Sequence, residues 1–264
     1  MKKRSKGKKT AIAVAVVLLL LIFVALFLYA GIKNFTVRRV FMPDGREIYL
    51  MGTFHTEHFE RYANYSMEEM LNAVKNIAPD AVLIEARERF YDEYGVVDGP
   101  VDMCAAYCYC REDQVPVEMI DFWEVDDEYQ ADTTTTARDE QIHENIMEKL
   151  SLYEGKRVLV ICGFGHLGEQ TDRLIAEGGK AVTVDGLSSL FKGDGSGFSY
   201  PSGLDEVWEE RVHFYAHTYP SLIQADDTLS EETKAMWRED ESGAFYDSQM
   251  VYRELFRDDR LYRG

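Results

Sequence analysis

The feature that most constrains the fold is a pair of matching motifs, in each of which an apolar run ends in Gly-x-x-His. The first motif is GTFH, from Gly52 to His55, and the second is GFGH, from Gly163 to His166. The preceding runs, Glu47 to Met51 and Arg157 to Cys162, are short and rich in branched or aromatic residues, as buried strands are. We therefore expect two histidines at equivalent strand ends.

A third apolar run, from Ala81 to Ile84, is followed directly by Glu85. In open α/β sheets, ligands bind at the edge formed by the carboxyl ends of the strands. Two imidazoles and a carboxylate at that edge also suit a catalytic divalent metal, which typically keeps three protein ligands and one open position. We predict one active site with His55, Glu85 and His166, rather than unrelated turn glycines and core histidines. Glu85 would be either a metal ligand or the base that takes a proton from water, and a histidine could be the base without a metal.

The order of elements predicts an α/β fold with a mostly parallel central sheet flanked by helices, because strand patterns alternate with helical ones. The turn sequence from Pro43 to Arg46 predicts a hairpin that leads into the first motif. Ser66 and Glu69 form the pattern of a capping box at the start of a helix. A later helix is expected from Gly168 to Ala176.

The amino terminus combines a basic cluster with a long apolar segment. Six basic residues precede an uncharged stretch from Ala11 to Ile32, and ~20 apolar residues suffice to span a bilayer. A cleaved signal peptide would have a shorter apolar region. The pattern predicts an N-terminal transmembrane helix in the lipid bilayer of the cell membrane. Residues 1–33 would be a cytoplasmic tail and signal anchor, and residues 34–264 an extracytoplasmic domain.

The charge of the outer part excludes one class of partner. Seven of the 29 basic residues lie at or before Lys33, which leaves 22 against 47 acidic side chains and a net charge of −25. A surface of this charge does not bind nucleic acid. Acidity keeps such a domain soluble and also attracts cations.

The four cysteines do not form a recognisable metal or disulfide framework. Cys104, Cys108 and Cys110 lie within seven residues, Cys162 ends a predicted strand, and no Cys-x-x-Cys pair occurs. Residues four apart on a helix are poorly placed for a disulfide. We expect Cys104 and Cys108 to be small apolar residues on the buried side of a helix, and the chain to have no structural disulfide framework.

Arg138 is a further candidate for the site. It opens a predicted helix, and its planar guanidinium would suit a substrate carboxylate or the oxyanion of a tetrahedral intermediate. The alternative is an ion pair on the surface with Asp139 or Glu140.

His213 and His217 are one helical turn apart, a spacing that can hold zinc. Phe214, however, occupies the position at which a metalloprotease helix carries glutamate. We therefore expect both histidines to lie outside the active site, in a face of packed aromatic residues.

Five segments, in order, give the chain a family likeness. They are LMGTFHTE (Leu50 to Glu57), AVLIEARE (Ala81 to Glu88), VDMCAAYCYCREDQVPVEMIDFW (Val101 to Trp123), ARDEQIHENI (Ala137 to Ile146) and VLVICGFGHLG (Val158 to Gly168). With these segments the chain resembles the TraB/PrgY, GumN and Tiki group, within the broader erythromycin-esterase and ChaN-like superfamily. It departs from the family pattern at Ile120-Asp121, where Leu-Glu is usual.

The resemblance implies an α/β fold with both motif histidines and Glu85 at the active centre, and Arg138-Asp139 matches a family motif. Tiki proteins are membrane-anchored, metal-dependent proteases outside the cytoplasm, and TraB/PrgY members are linked to shutdown of peptide pheromones. We therefore expect a metal-dependent peptidase that acts on peptides or proteins, with Zn²⁺, Mn²⁺ or Co²⁺ held by His55, Glu85 and His166. Two alternatives remain: a non-catalytic binder of peptides or pheromones, and a metal-independent, esterase-like hydrolase.

Overall fold

The computed structural model of the chain describes residues 14–25, 36–55, 66–125 and 136–237. Contacts divide the chain into two units, Met1–Phe35 and Thr36–Gly264. In the first unit, residues 14–25 belong to helix α1, and its large apolar side chains are 49–67% exposed. Within these described ranges, no helix is both long and apolar enough to cross a membrane. Residues 11–13 and 26–32 of the predicted span lie outside them, so the transmembrane helix stays a prediction.

The second unit contains a mixed sheet, which has six strands within the described residues. They are β1 (Val37–Phe41), β2 (Glu47–Thr53), β3 (Ala81–Ile84), β4 (Val117–Met119), β5 (Arg157–Gly163) and β6 (Lys180–Val182). The order is β4-β3-β5-β2-β1-β6, and β4, β3, β5 and β2 are mutually parallel. Strand β1 runs antiparallel to both of its neighbours. The predicted α/β fold with a mostly parallel sheet is therefore confirmed.

Helices cover both faces of this sheet. They are α2 (Met67–Ile77), α3 (Glu88–Tyr94), α4 (Val101–Glu112), α5 (Thr136–Leu150), α6 (Phe164–Ala176), α7 (Leu187–Leu190), α8 (Leu204–His213), α9 (Tyr219–Ala225) and α10 (Glu231–Met236), with a π-helical turn, Phe214–Thr218, between α8 and α9. Side chains alternate along each strand, so Leu159 and Ile161 of β5 pack with α2, α4 and α8. Val158 and Val160 pack on the opposite face with α5 and α6.

Local sequence explains two predicted elements and corrects a third. Asp44 accepts a hydrogen bond from the Arg46 N–H at 3.1 Å, and Gly45 has a φ of +86°, so the β1–β2 hairpin forms as predicted. Ser66 and Glu69 form a reciprocal capping box at α2. The prediction that the later helix begins at Gly168 is wrong: α6 begins at Phe164. The intrinsic cost of glycine in a helix is only about 1 kcal/mol, and the packing of Leu167 and Leu174 in the core offsets it.

A buried ion pair fixes the chain just after β3. The Arg87 guanidinium donates from Nε to Asp98 at 2.6 Å, and the Arg87 backbone N–H donates to the same carboxylate at 2.6 Å. Both side chains are 3% exposed. The Arg87 guanidinium also lies over the rings of Phe90 and Tyr219, at 4.2 and 5.2 Å from their centroids. The C-terminal helices thereby hold the segment that carries Glu85.

The cysteines behave as core residues. All four lie within the described ranges, and each is buried and free of a disulfide. Burial raises the pKa of Cys108 to about 11 and that of Cys110 to about 12, so both stay as neutral thiols. The predictions that Cys104 and Cys108 are buried and that the cysteines form no disulfide framework are confirmed.

Candidate active site

The register of the central strands brings the three predicted site segments to one edge of the sheet. Thr53 of β2 lies beside Gly163 of β5, and Ile84 of β3 lies beside Ile161 of β5. The three strands are parallel, so their carboxyl ends meet. His55, Glu85 and the helix that carries His166 all leave the sheet at this edge, where α/β folds bind ligands.

Glycines allow the two motifs to touch. A Cβ atom at Gly163 would lie 2.5 Å from His55 Nε2, and one at Gly52 would lie 3.1 Å from the Cα of Phe164. A side chain at Gly163 would therefore displace the His55 ring. Gly52 and Gly163 are therefore needed for the close approach of the two motifs.

Glu85 is the centre of the arrangement. Its side chain is 4% exposed, and its two oxygens face different histidines. His55 Nε2 lies 3.8 Å from Oε2, and His166 Nε2 lies 3.7 Å from Oε1. These distances are too long for direct hydrogen bonds. A water molecule that hydrogen-bonds to both groups would lie beside the line that joins them, not between them.

Each histidine is oriented from behind by an aspartate. His166 Nδ1 donates to Asp139 at 2.7 Å, and His55 Nδ1 lies 3.3 Å from the nearer oxygen of Asp102. Asp102 is fully buried and Asp139 is 7% exposed. A carboxylate at Nδ1 fixes the tautomer of an imidazole and leaves Nε2 as the working atom. Sequence reasoning missed both aspartates as site residues.

Arg138 approaches the same centre from α5. Its Nη2 atom donates to Glu85 at 2.8 Å and to Asp121 at 2.8 Å, and its side chain is 13% exposed. Arg138 therefore pairs with Glu85 and Asp121, and the alternative of a surface ion pair with Asp139 or Glu140 is wrong. Asp121, where the chain departs from the family pattern, is thus a partner of Arg138. Burial and the charge of Glu85 raise the pKa of Asp121, and Arg138 opposes that shift.

His55 differs from His166 in exposure, backbone and charge. Its side chain is 30% exposed, whereas that of His166 is 4% exposed. Its φ of +54° is uncommon for a residue other than glycine and is typical of constrained functional positions. Burial lowers the pKa of His55, but Asp102 and Glu85 outweigh burial and raise it to about 9. His55 is therefore a cation at neutral pH and the more accessible of the two rings.

The remaining histidine candidates, His213 and His217, lie outside this site. The rings of His213 and His217 are 4.7 Å apart between centroids. His213 lines a cavity of about 720 Å³ with Tyr94 and the acidic face of α8, and His55, Glu85, Arg138 and His166 are not among its lining residues.

As placed, the three predicted ligands do not fit one metal ion. In the described parts of the chain, no group of three or more His, Cys, Asp or Glu side chains could hold one. Glu85 as placed accepts hydrogen bonds from Arg138 through Oε1 and from the Gly163 N–H through Oε2. The arrangement supplies acids and bases, and metal dependence stays a prediction from the sequence.

Comparison of the chain with protein-family models, with curated proteins and with solved structures gives no match. The resemblance to the TraB/PrgY, GumN and Tiki group therefore rests on the five sequence segments alone.

Proposed function

We propose that this chain is a hydrolase that cleaves peptide bonds at the centre formed by His55, Glu85, Arg138 and His166. One observation carries the proposal: two histidines, each held at Nδ1 by an aspartate, direct Nε2 at opposite oxygens of one buried glutamate. Groups oriented in this way hold and move protons. A site built only for binding has no need of two such pairs.

The nucleophile in this proposal is a water molecule that hydrogen-bonds to Glu85 and to His166 Nε2 from beside the line that joins them. His166, with its proton on Nδ1 toward Asp139, has a lone pair on Nε2 that can accept a proton from that water. The hydroxide adds to the peptide carbonyl and gives a tetrahedral oxyanion. Glu85 holds the water from the other side, and the ion pair with Arg138 keeps the carboxylate in position.

His55 is the acid in this proposal. As an imidazolium on the exposed side of the site, it can stabilise the oxyanion and then donate its proton to the leaving amine. The tetrahedral intermediate collapses to a carboxylic acid and an amine, and the two histidines exchange their protons with solvent before the next turnover. His55 and His166 therefore perform the acid and base roles separately.

Peptides are the proposed substrates because the chain resembles proteases and pheromone-shutdown proteins. The proposed location is the outer face of the cell membrane, with residues 1–33 as anchor and residues 34–264 as the catalytic part. The basic residues before Ala11 and the exposed apolar side chains of α1 support this location.

The response to chelation tests the chemistry of the proposal. We expect the full-length protein, purified in detergent and treated with a chelator, to cleave a mixed peptide library at a rate within about twofold of the untreated protein. The reason is that the proposed steps use the two imidazoles and Glu85, and none of them uses a metal ion. Loss of cleavage on chelation, restored by Mn²⁺, Co²⁺ or Zn²⁺, would contradict this chemistry and support the metal-dependent peptidase predicted from the sequence.

The pH profile should show the titration of His55. His55 is protonated below its raised pKa of about 9, so turnover should fall as the pH rises through that value. In Asp102→Asn the pKa should move toward the ordinary value of about 6.5, and the decline should begin near neutral pH. The measurement is kcat between about pH 6 and pH 10 for both proteins. Identical alkaline declines in the two proteins would show that His55 is not the acid.

A further inference from the structure

Two phenylalanines stack on each other beside the candidate site. Phe54 directly precedes His55, and Phe164 directly follows Gly163, which the His55 ring approaches closely. The ring centroids are 5.2 Å apart and the rings are 25° from parallel. Each Gly-x-x-His motif therefore contributes one ring to a shared apolar surface, which we call the Phe54/Phe164 pair.

The two rings differ in exposure. Phe54 is partly buried against the core cluster that contains Met51 and Ile161, so its ring has a firm base. Phe164, in the first turn of α6, is 42% exposed. A single exposed apolar side chain is ordinary on a protein surface. Two stacked rings joined to the segments that carry both histidines are a surface prepared to bind something apolar.

We propose that the Phe54/Phe164 pair is a specificity subsite, which binds a large aliphatic or aromatic side chain of the peptide next to the cleaved bond. This inference rests on the proposed function, because it assigns a substrate preference to the same site. Burial of an apolar side chain against the two rings releases water from both partners. The groups around Glu85 are charged, so an uncharged side chain gains most by lying on the rings.

Position supports the same conclusion. His55 is the more exposed of the two histidines, so the substrate has to reach the centre from its side. Phe54 is bonded to His55 through one peptide linkage, which places the pair within one or two residues of a bound scissile bond. A side chain held there fixes the register of the peptide, and therefore which bond meets the water.

The test compares two peptides that differ at one position. The peptide is the best substrate found in a mixed library cleaved by the full-length protein in detergent, and its partner carries Ala in place of the apolar residue beside the cleaved bond. Phe164→Ala should lower kcat/KM for the apolar peptide about tenfold or more, mainly through KM. It should change kcat/KM for the Ala peptide less than about twofold, and Phe164→Leu should keep most of the preference.

Ile175→Ala is the matched control. Ile175 lies on the same helix, is 41% exposed, and is eleven residues further along. Ile175→Ala should leave kcat/KM unchanged for both peptides. Binding without turnover is measured with the Glu85→Gln protein. This variant is titrated into each of the two peptides, and fluorescence anisotropy reports the bound fraction.

The outcomes separate the two proposals. If the protein cleaves peptides without preference for an apolar residue, or if Phe164→Ala affects both peptides equally, the subsite is wrong and the hydrolase stands. If no peptide is cleaved, the proposed hydrolase fails. In that case two fixed peptides test the subsite by binding alone. Both have a glycine-serine sequence, and one carries Phe at its centre where the other carries Ala. Binding that favours the Phe peptide and weakens in Phe164→Ala supports it, and equal binding overturns it.

Discussion

Replacement of Glu85 by Gln should lower kcat for peptide hydrolysis by about a hundredfold or more, because the attacking water loses the carboxylate that positions it. The amide is neutral and cannot hold the attacking water as a carboxylate does. It also has one acceptor oxygen instead of two, so Arg138 and the Gly163 N–H can no longer both be satisfied. The measurement is kcat of the full-length protein on a library substrate.

Glu118→Gln is the control for this change. Glu118 lies on β4 of the same sheet and accepts a hydrogen bond from the Tyr153 hydroxyl at 2.6 Å, away from the histidines. We expect its kcat to stay within about twofold of the wild-type value. Thermal unfolding followed by circular dichroism shows whether Glu85→Gln is folded. A folded Glu85→Gln protein with kcat within about threefold of wild type would remove Glu85 from the mechanism.

Replacement of Asp139 by Asn should lower kcat by about a thousandfold to ten-thousandfold. Asp139 accepts the Nδ1 proton of His166 at 2.7 Å, which keeps the lone pair on Nε2. An amide NH₂ group facing Nδ1 would favour the other tautomer, in which Nε2 carries the proton and cannot act as a base. In a serine protease the same change costs about ten-thousandfold, with the geometry intact.

The pH dependence of kcat in Asp139→Asn shows whether Asp139 sets the tautomer of His166 or only packs against it. If Asp139 only fills space, Asp139→Asn should reduce kcat by a constant factor at all pH values, or only destabilise the protein. If it sets the tautomer, hydroxide at high pH should take over part of the work of the missing base, and kcat of the variant should rise with pH. A small, pH-independent loss would contradict the assignment of His166 as the base.

The edge of the sheet that carries the site was predictable from the sequence, because it depends on short stretches of local sequence. Three short apolar runs specified β2, β3 and β5, and parallel strands bring their carboxyl ends together. Residue type then identified His55, Glu85 and His166. The structure adds that the glycines bring the two motifs into contact, which their spacing alone does not reveal.

The partners of these residues were not predictable, because they come from helices whose docking is set by the whole core. Asp102 and Asp139 lie in the first turns of α4 and α5, where an acidic residue ordinarily interacts with the helix dipole. Helix position alone does not distinguish them from such residues, and the family motif at Arg138-Asp139 does not indicate that Asp139 contacts His166. The pairing of Arg138 with Glu85 likewise depends on where α5 lies.

The central claim is that water attacks a peptide carbonyl at Glu85. The most direct measurement is digestion of a peptide library by the full-length protein in water enriched in ¹⁸O, with the products analysed by mass spectrometry. The account predicts that each new carboxyl terminus carries ¹⁸O from the solvent, and that these products are absent with Glu85→Gln and present with Glu118→Gln. Peptides that are bound but never cleaved, or equal cleavage by wild type and Glu85→Gln, would contradict it.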